Sequence, residues 1–230
     1  MMQRIAVARA LAAGAKTLLL DEPLGQLDAK VRNEIRYEIR KMAKDLKLTA
    51  IHVTHDQSEA MSISDRIAVM KKGKIVQVGG PQELYIDPNS LFVAHFIGES
   101  NFLEGIIADV NNSCVEIELR GGFKVDAIRN GEMKRDDRVV LAVRPEVLTV
   151  ETDAAKKSNT LVGKVEKITF EGTFMRYVVR LGSQDTVVVI RPSLTEEWIE
   201  VGKKITMSFQ ADKAHVFAYP EEGLTEEISV

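Results

Sequence analysis

The sequence holds a single cysteine, Cys114, in 230 residues. No internal disulfide can form, nothing calls for an oxidising compartment, and a cysteine-built metal cluster is excluded. No apolar run approaches the roughly 18 residues that a membrane-spanning helix needs. The apolar stretch at the N-terminus is broken by Arg4, Arg9 and Lys16 and leads to no small-residue cleavage site, so it does not read as a secretory signal, and a cytoplasmic location is expected. With only 6 prolines and 15 glycines, a fibrous or collagen-like chain is excluded. What is present, 45% hydrophobic and 28% charged residues, suits one or two soluble globular domains.

Charge is uneven. Residues 1–97 carry 14 basic and 11 acidic side chains, whereas residues 98–230 carry 17 basic and 23 acidic ones. The second part, with a net of -6, is a poor match for nucleic acid, where phosphate neutralisation supplies most of the affinity.

Helix formers fill Gln3–Ala12, and Gly14 is a plausible stop. Thr17–Leu20 is apolar without alternation, which predicts a strand covered on both faces, as in a parallel sheet. Asp28 is placed to cap a long helix whose apolar stripe is Val31, Ile35, Ile39, Met42 and Leu46. Lys30, Arg32, Glu34, Arg36, Glu38, Arg40 and Lys41 lie off that stripe and read as a solvated face. A second strand over Thr49–Thr54 makes a parallel strand–helix–strand crossover. A short helix near Gln57–Ile63, a hairpin of Arg66–Met70 with Lys74–Val78, and two short helices after Pro81 and near Ser90–Phe96 follow. Gly98–Asn101 reads as a domain junction. Beyond it, short β-rich segments at 103–110, 114–119, 123–128, 138–143, 161–170, 174–181, 185–190 and 204–209 predict a small barrel or sandwich.

That second part repeats itself. Leu103-x-Gly105-x-Ile107-x-x-Val110 matches Leu161-x-Gly163-x-Val165-x-x-Ile168. Val125-x-x-Ile128 matches Val187-x-x-Ile190, and Val139-x-Leu141-x-Val143 matches Ile205-x-Met207-x-Phe209. Two copies of one β-unit would bury a shared core. Phe102, Phe123, Phe170, Phe174 and Tyr177 are assigned mostly to that core, which leaves few aromatics to stack on bases and again disfavours nucleic acid.

Three features bear on chemistry. Leu18-Leu19-Leu20-Asp21-Glu22 delivers two carboxylates to the C-terminal edge of a strand, the edge where open parallel sheets bind ligands. One can hold Mg²⁺, directly or through water, and the other can polarise a water molecule. His55 ends the neighbouring strand in Val53-Thr54-His55-Asp56, where an imidazole can reach both acids and donate to a phosphate oxygen. Leu27-Asp28 precedes the long helix. Read singly, these are an acidic strand end, a structural histidine and an N-cap; His52, His95 and His215 stay in that plain class.

In order and spacing, however, Gln3-Arg4-Ile5-Ala6-Val7-Ala8-Arg9-Ala10-Leu11, Leu18-Leu19-Leu20-Asp21-Glu22-Pro23, Leu27-Asp28 and Val53-Thr54-His55-Asp56 resemble the nucleotide-binding subunits of ABC transporters. They match the helix after the family's signature loop, the Walker B strand, the D-loop and the switch histidine. Residues 98–230, marked by Leu141-Ala142-Val143-Arg144-Pro145-Glu146, resemble the OB-fold-type TOBE module of importer ATPases. The resemblance implies an α/β part of a P-loop nucleotide-binding domain, with a parallel sheet, over 1–97, followed by a two-repeat β-barrel over 98–230. It implies ATP and Mg²⁺ as ligands. Asp21 would hold Mg²⁺ through water, Glu22 would activate the attacking water, and His55 would contact the γ-phosphate. Asp28 would reach across a dimer interface, and Pro23 would turn the chain away from the sheet. The implied partners are a second ATPase subunit, transmembrane permease subunits and, indirectly, an extracytoplasmic solute-binding protein, with the subunit peripheral on the inner face of the membrane. The alternative is a non-catalytic regulatory module in which the β-part senses a ligand.

One departure matters. No G-x-x-x-x-G-K-[ST] phosphate loop occurs in the sequence, and the signature loop is absent too. The chain is expected to be the C-terminal part of a longer subunit, and on its own to bind Mg-ATP poorly and not to hydrolyse it. Phe96–Gly105 and Glu171–Tyr177 are similar to polyamine-type importers.

Overall fold

The computed structural model describes residues 15–24, 29–111, 113–129, 131–151, 159–182, 185–194 and 198–229. The helix expected over Gln3–Ala12 and the residue Asp28 lie outside them. The chain forms two compact units, Met1–Ile86 and Asp87–Val230.

In the first unit, β1 (Thr17–Asp21) and β2 (Thr49–Val53) pair in parallel, from Thr17 opposite Thr49 to Asp21 opposite Val53, with α1 (Ala29–Asp45) between them in sequence. This is the predicted strand–helix–strand unit. The covering of the strands differs from the prediction: Leu18 is buried, but Leu19 is 75% exposed, and Ile51 and Val53 are each 54% exposed. Side chains alternate across a strand, so Leu19, Ile51 and Val53 share the exposed face of this two-stranded ribbon and Leu18 lies on the opposite one.

The helix α2 (Gln57–Ile63) begins at Asp56, whose carboxylate accepts the Glu59 amide at 2.9 Å. The polar side of α1 is solvated at Glu34, Glu38 and Lys41, as the sequence suggests, but not at its arginines. Arg36 is 9% exposed, and its guanidinium donates to Asp56 at 2.9 Å; Arg32 adds a contact at 3.3 Å. Further along, Arg40 donates to the Ile63 carbonyl, and Lys44 meets Asp65 at 2.8 Å. Polar contacts thus tie α1 to α2, because the α1 stripe is weak at its ends, with Val31 36% and Leu46 55% exposed. The strands β3 (Ile67–Lys71) and β4 (Lys74–Gly79) form the predicted hairpin, and α3 (Pro81–Ile86) closes the unit.

The second unit starts earlier than the junction read at Gly98–Asn101. The helix α4 (Leu91–Phe96) belongs to it: Leu91 and Ala94 pack with Val140, Ala142 and Phe217. Arg144, 7% exposed, ties the stretch down by donating to the carbonyls of Ala94 at 2.6 Å, Gly98 at 2.8 Å and Glu99 at 3.0 Å, and to the Ser100 hydroxyl at 2.8 Å. A linker-like composition at 98–101 therefore hides a pinned segment.

Two antiparallel five-stranded sheets make up the rest. Their strands are β5 (Asn101–Val110), β6 (Cys114–Leu119), β7 (Lys124–Ile128), β8 (Arg138–Val143), β9 (Thr149–Glu151), β10 (Thr160–Phe170), β11 (Phe174–Leu181), β12 (Thr186–Pro192), β13 (Lys204–Ser208) and β14 (Ala214–Ala218). One sheet runs β14-β8-β5-β6-β7 and the other β9-β13-β10-β11-β12. Eight strands were legible in the sequence; β9 and β14 were not. These two are exchanged between the repeats. β9 follows β8 in the chain yet pairs with β13, and β14 follows β13 yet pairs with β8.

The internal repeat is real in three dimensions. Each long first strand carries a bulge at the matching place, Ile107/Asp109 in β5 and Val165/Lys167 in β10. A methyl group on Gly105 would lie 2.6 Å from Ile117, and one on Gly163 would lie 2.6 Å from Val179, so both positions demand the absence of a side chain. Leu103, Ile107, Ile117 and Leu141 share one core with Leu161, Val165, Val179 and Met207. β8 is buried on both sides, with Val139, Leu141 and Val143 in that core and Val140 and Ala142 under α4, which explains its unbroken apolar run. Of the aromatics assigned to the core, Tyr177 is buried and Phe102 and Phe123 are half-buried. Phe170 (61%) and Phe174 (48%) are exposed, because they flank the β10–β11 turn beyond the core's edge.

Candidate functional site

The acidic pair stands where the apolar run of β1 stops. Asp21 is the last strand residue, opposite Val53, and the Glu22 amide still donates to the Val53 carbonyl at 3.0 Å. Glu22 then turns out of the strand with φ of 42°, a left-handed conformation that costs a non-glycine residue about 1 kcal/mol or more. Pro23 and Leu24 are buried just after it, which holds the turn in place.

His55 leaves β2 two residues past Val53. Its Nδ1 lies 3.1 Å from Glu22 Oε1, with the two side chains 78% and 55% exposed. The structure thus brings Glu22 and His55 together across the strand ends and sets Asp21 one residue away on the same edge. Asp28 lies outside the described residues. A carboxylate only accepts hydrogen bonds, so Nδ1–H is the donor, and Nε2 is left for another partner. Nε2 then faces away from Glu22 and can donate to a phosphate oxygen only when it too carries a proton.

Next to His55 in the chain lies a polar group of which the sequence announces little beyond His52, which reads as structural. Glu59 is 3% exposed; its Oε2 accepts from the Thr54 hydroxyl at 2.6 Å, and its Oε1 stands 2.9 Å from His52 Nε2, a close contact outside hydrogen-bond alignment. Asp56 accepts from Ser58 at 2.7 Å, from the Glu59 amide, and from Arg36 and Arg32. Led by the Ser58 hydrogen bond and helped by the amide and the two guanidiniums, these partners hold its carboxyl below the usual aspartate range, against the opposing effect of burial. A Glu three residues after a helix-capping Asp was the available signal, since Asp-x-x-Glu is a capping-box pattern.

The β-unit has its own buried polar pairs, also unannounced by the sequence. Asn101 Nδ2 donates to the Val188 carbonyl at 2.8 Å while Oδ1 accepts the Val188 amide at 2.6 Å. Asn159 treats Asp126 identically, at 2.8 and 2.6 Å. Each asparagine precedes the Leu-x-Gly of one repeat and grips the edge strand of the other. Elsewhere in this unit Arg176 makes a two-pronged bond with Glu99 at 2.8 and 2.5 Å and meets Glu171 at 2.9 Å; the Glu99 bond first, then Glu171, raises its pKa further.

The first unit thus carries a strand-end Asp-Glu met by a histidine, and the second a duplicated, strand-exchanged β-fold. The family model described as "TOBE domain" matches residues 141–217. The chain is similar to proteins named spermidine/putrescine import ATP-binding protein PotA. With that of Trichodesmium erythraeum (strain IMS101) it shares 43% identity over 198 residues, 83% of this chain and 52% of that protein. With that of Pseudomonas aeruginosa (strain UCBPP-PA14) it shares 36% over 219 residues, 93% of this chain and 60% of that protein. The chain therefore spans about half the length of the curated relatives it matches. A looser likeness in shape is to the cytoplasmic molybdate-binding protein ModG: TM-score 0.47, 18% identity, covering 52% of this chain and 96% of that one.

Proposed function

We propose that this chain works within the ATP-hydrolysing subunit of an ABC importer that takes up a polyamine of the spermidine/putrescine kind. The observation that carries the reading is the Glu22–His55 contact at the C-terminal edge of β1 and β2. Relatives whose names specify spermidine and putrescine support the cargo.

The residues present suit a magnesium-bound triphosphate. Asp21 offers an exposed hard-oxygen donor, and would hold Mg²⁺ through water. Bound there, the cation would neutralise charge on the phosphates. Glu22 accepts a proton from water with one carboxylate oxygen while the other keeps His55 in place. His55, held through Nδ1, presents Nε2–H to the γ-phosphate and registers its departure by losing that partner. Asp28 would reach toward the phosphate loop of a second subunit in a homodimer. Permease subunits would take up the motion, an extracytoplasmic binding protein would act through them, and the subunit would sit on the inner face of the membrane. Among the described residues no helix is long and apolar enough to cross a membrane.

The test is made in a protein that joins this chain to a glycine-rich phosphate loop. Glu22→Gln there should retain ATP binding and abolish turnover; normal turnover would remove Glu22 from the role. The 230-residue chain by itself lacks that loop, so equilibrium titration with labelled Mg-ATP should show only weak binding, and micromolar affinity would contradict this. A second reading, that the β-unit regulates rather than drives, is favoured by its self-contained core. Loss of regulation with unchanged transport after removal of 87–230 would support it.

A further inference from the structure

His55 is held in an unusual way. Its side chain is 78% exposed, so no packing walls fix its rotamer, and its only polar contact among the described residues is with Glu22, itself 55% exposed. What fixes the imidazole must therefore act through the backbone on either side.

Those flanking residues sit in a closed ring of three hydrogen bonds. The Glu59 amide donates to Asp56 Oδ1 at 2.9 Å, the Asp56 amide donates to Thr54 Oγ1 at 3.0 Å, and the Thr54 hydroxyl donates to Glu59 Oε2 at 2.6 Å. In an ordinary capping box the Glu at the third helical position accepts directly from the amide of the capping residue. Here the Thr54 hydroxyl is interposed between them. The inserted hydroxyl widens the ring to span residues 54 to 56, and His55 is the residue in its middle.

Glu59 is an expensive choice for a merely structural part. It is 3% exposed, and His52, 9% exposed along its side chain, is set against its other oxygen. Burying an acid and a base seldom adds stability over an apolar pair of similar volume, and its attested benefit is a unique geometry. The geometry maintained is that of the histidine loop.

We infer that Glu59 is a positioning residue for His55, acting through Thr54 Oγ1, with His52 packed close behind the Glu59 carboxylate. The role gains its meaning from the reading of His55 as the phosphate contact, but the experiment does not involve nucleotide. Normal turnover in the loop-joined Glu22→Gln protein would overturn that reading and leave this inference standing, and the converse holds as well.

The 230-residue chain is labelled with ¹⁵N in its histidine rings, and the Nδ1 and Nε2 shifts of His55 are read. Those shifts report which ring nitrogen carries the proton. The wild-type chain should show a ring protonated at Nδ1, and Glu22→Ala, which removes the acceptor altogether, supplies the reference signal for a His55 without its partner. Glu59→Leu and Thr54→Val should both move the His55 signals to that reference while amide signals of residues 87–229 stay in place. Glu59→Gln keeps an acceptor for the Thr54 hydroxyl and should retain the wild-type ring signature. Unmoved His55 shifts in Thr54→Val, or a Glu59→Gln that behaves like Glu22→Ala, would overturn the inference. Should Glu59→Leu fail to fold its unit, the Thr54→Val and Glu59→Gln variants decide the matter alone.

Discussion

Removal of one side-chain amide, in Asn101→Ala or Asn159→Ala, should strike the β-unit harder than its size suggests. Each asparagine satisfies both polar groups of one residue on an edge strand: Asn101 those of Val188, Asn159 those of Asp126. The asparagines are 5% and 3% exposed, so water cannot easily replace them. A buried backbone group left unpaired costs about 1–3 kcal/mol. Two such groups, partly relieved because they lie on a sheet edge, give roughly 2–4 kcal/mol per substitution. For a unit of this size that is a fall in Tm of about 10 °C. Trp198 is the only tryptophan and lies in this unit, hydrogen-bonded to the Ser193 carbonyl at 3.2 Å, so its fluorescence reports this transition and not that of the first unit. Urea titration followed at Trp198 should show both variants shifted by similar amounts, since the two sites are copies of one arrangement. Asn→Asp at either position should be worse, because a carboxylate oxygen would then face the carbonyl that Nδ2 now bonds. A loss below about 0.5 kcal/mol in both alanine variants, the range of an ordinary surface change, would refute the reasoning.

Other outcomes follow from the same physics. Gly163→Ala would put a methyl 2.6 Å from Val179 and 2.7 Å from the Arg180 carbonyl; a loss of about 1–3 kcal/mol is expected by denaturant titration, and Gly105→Ala should match it. Asp56→Asn keeps a cap for α2 but drops the ion pairs with Arg36 and Arg32, and hydrogen exchange should show the first unit about 1–2 kcal/mol less stable. Because the Asp56 pKa is lowered in the folded chain, its contribution is full above the unfolded value near 3.8 and fades as pH falls below that toward the folded value; the pH dependence of stability should flatten there in Asp56→Asn. Leu19→Lys on the open face of β1 should leave stability within about 0.5 kcal/mol and reduce self-association in sedimentation, because that side chain is already 75% exposed.

The sequence carried the strand–helix–strand order, eight of the β-strands and the repeat because each rests on local pattern: apolar runs, alternation, and glycines where a side chain does not fit. Glu22 and His55 were legible for the same reason, since strand ends announce themselves. Long-range polar contacts left weaker marks. Asn101 falls at the end of the stretch that reads as a junction, and Asn159 carries no signal of its own, although Asn-x-Leu-x-Gly stands at the start of both copies. Arg36 read as solvated because helical periodicity cannot say that an aspartate twenty residues on will need a guanidinium. The start of the second unit was misplaced because Gly98-Glu99-Ser100-Asn101 has the composition of a linker, while Arg144, which pins it, lies far along the chain.

The exchanged strands and the two asparagines make one point about how the β-unit is specified. Each repeat lacks something only the other supplies: its sheet is completed by β14 or β9 from the far copy, and its edge strand is gripped by the far copy's asparagine. An edge strand left bare is a template for pairing with other chains, so a single repeat would expose two such edges where the pair exposes none of the gripped groups. The connections are correspondingly long-range, with Asn101 meeting Val188 across 87 positions of sequence. Loop closure of that span must precede its reward, which favours all-or-none folding of 101–218 over stepwise assembly of the copies. Duplication in this unit is therefore a condition of its stability, and the short helices after β8 and β13, at Pro145–Val147 and Ala211–Lys213, are the places where the chain crosses from one copy to the other.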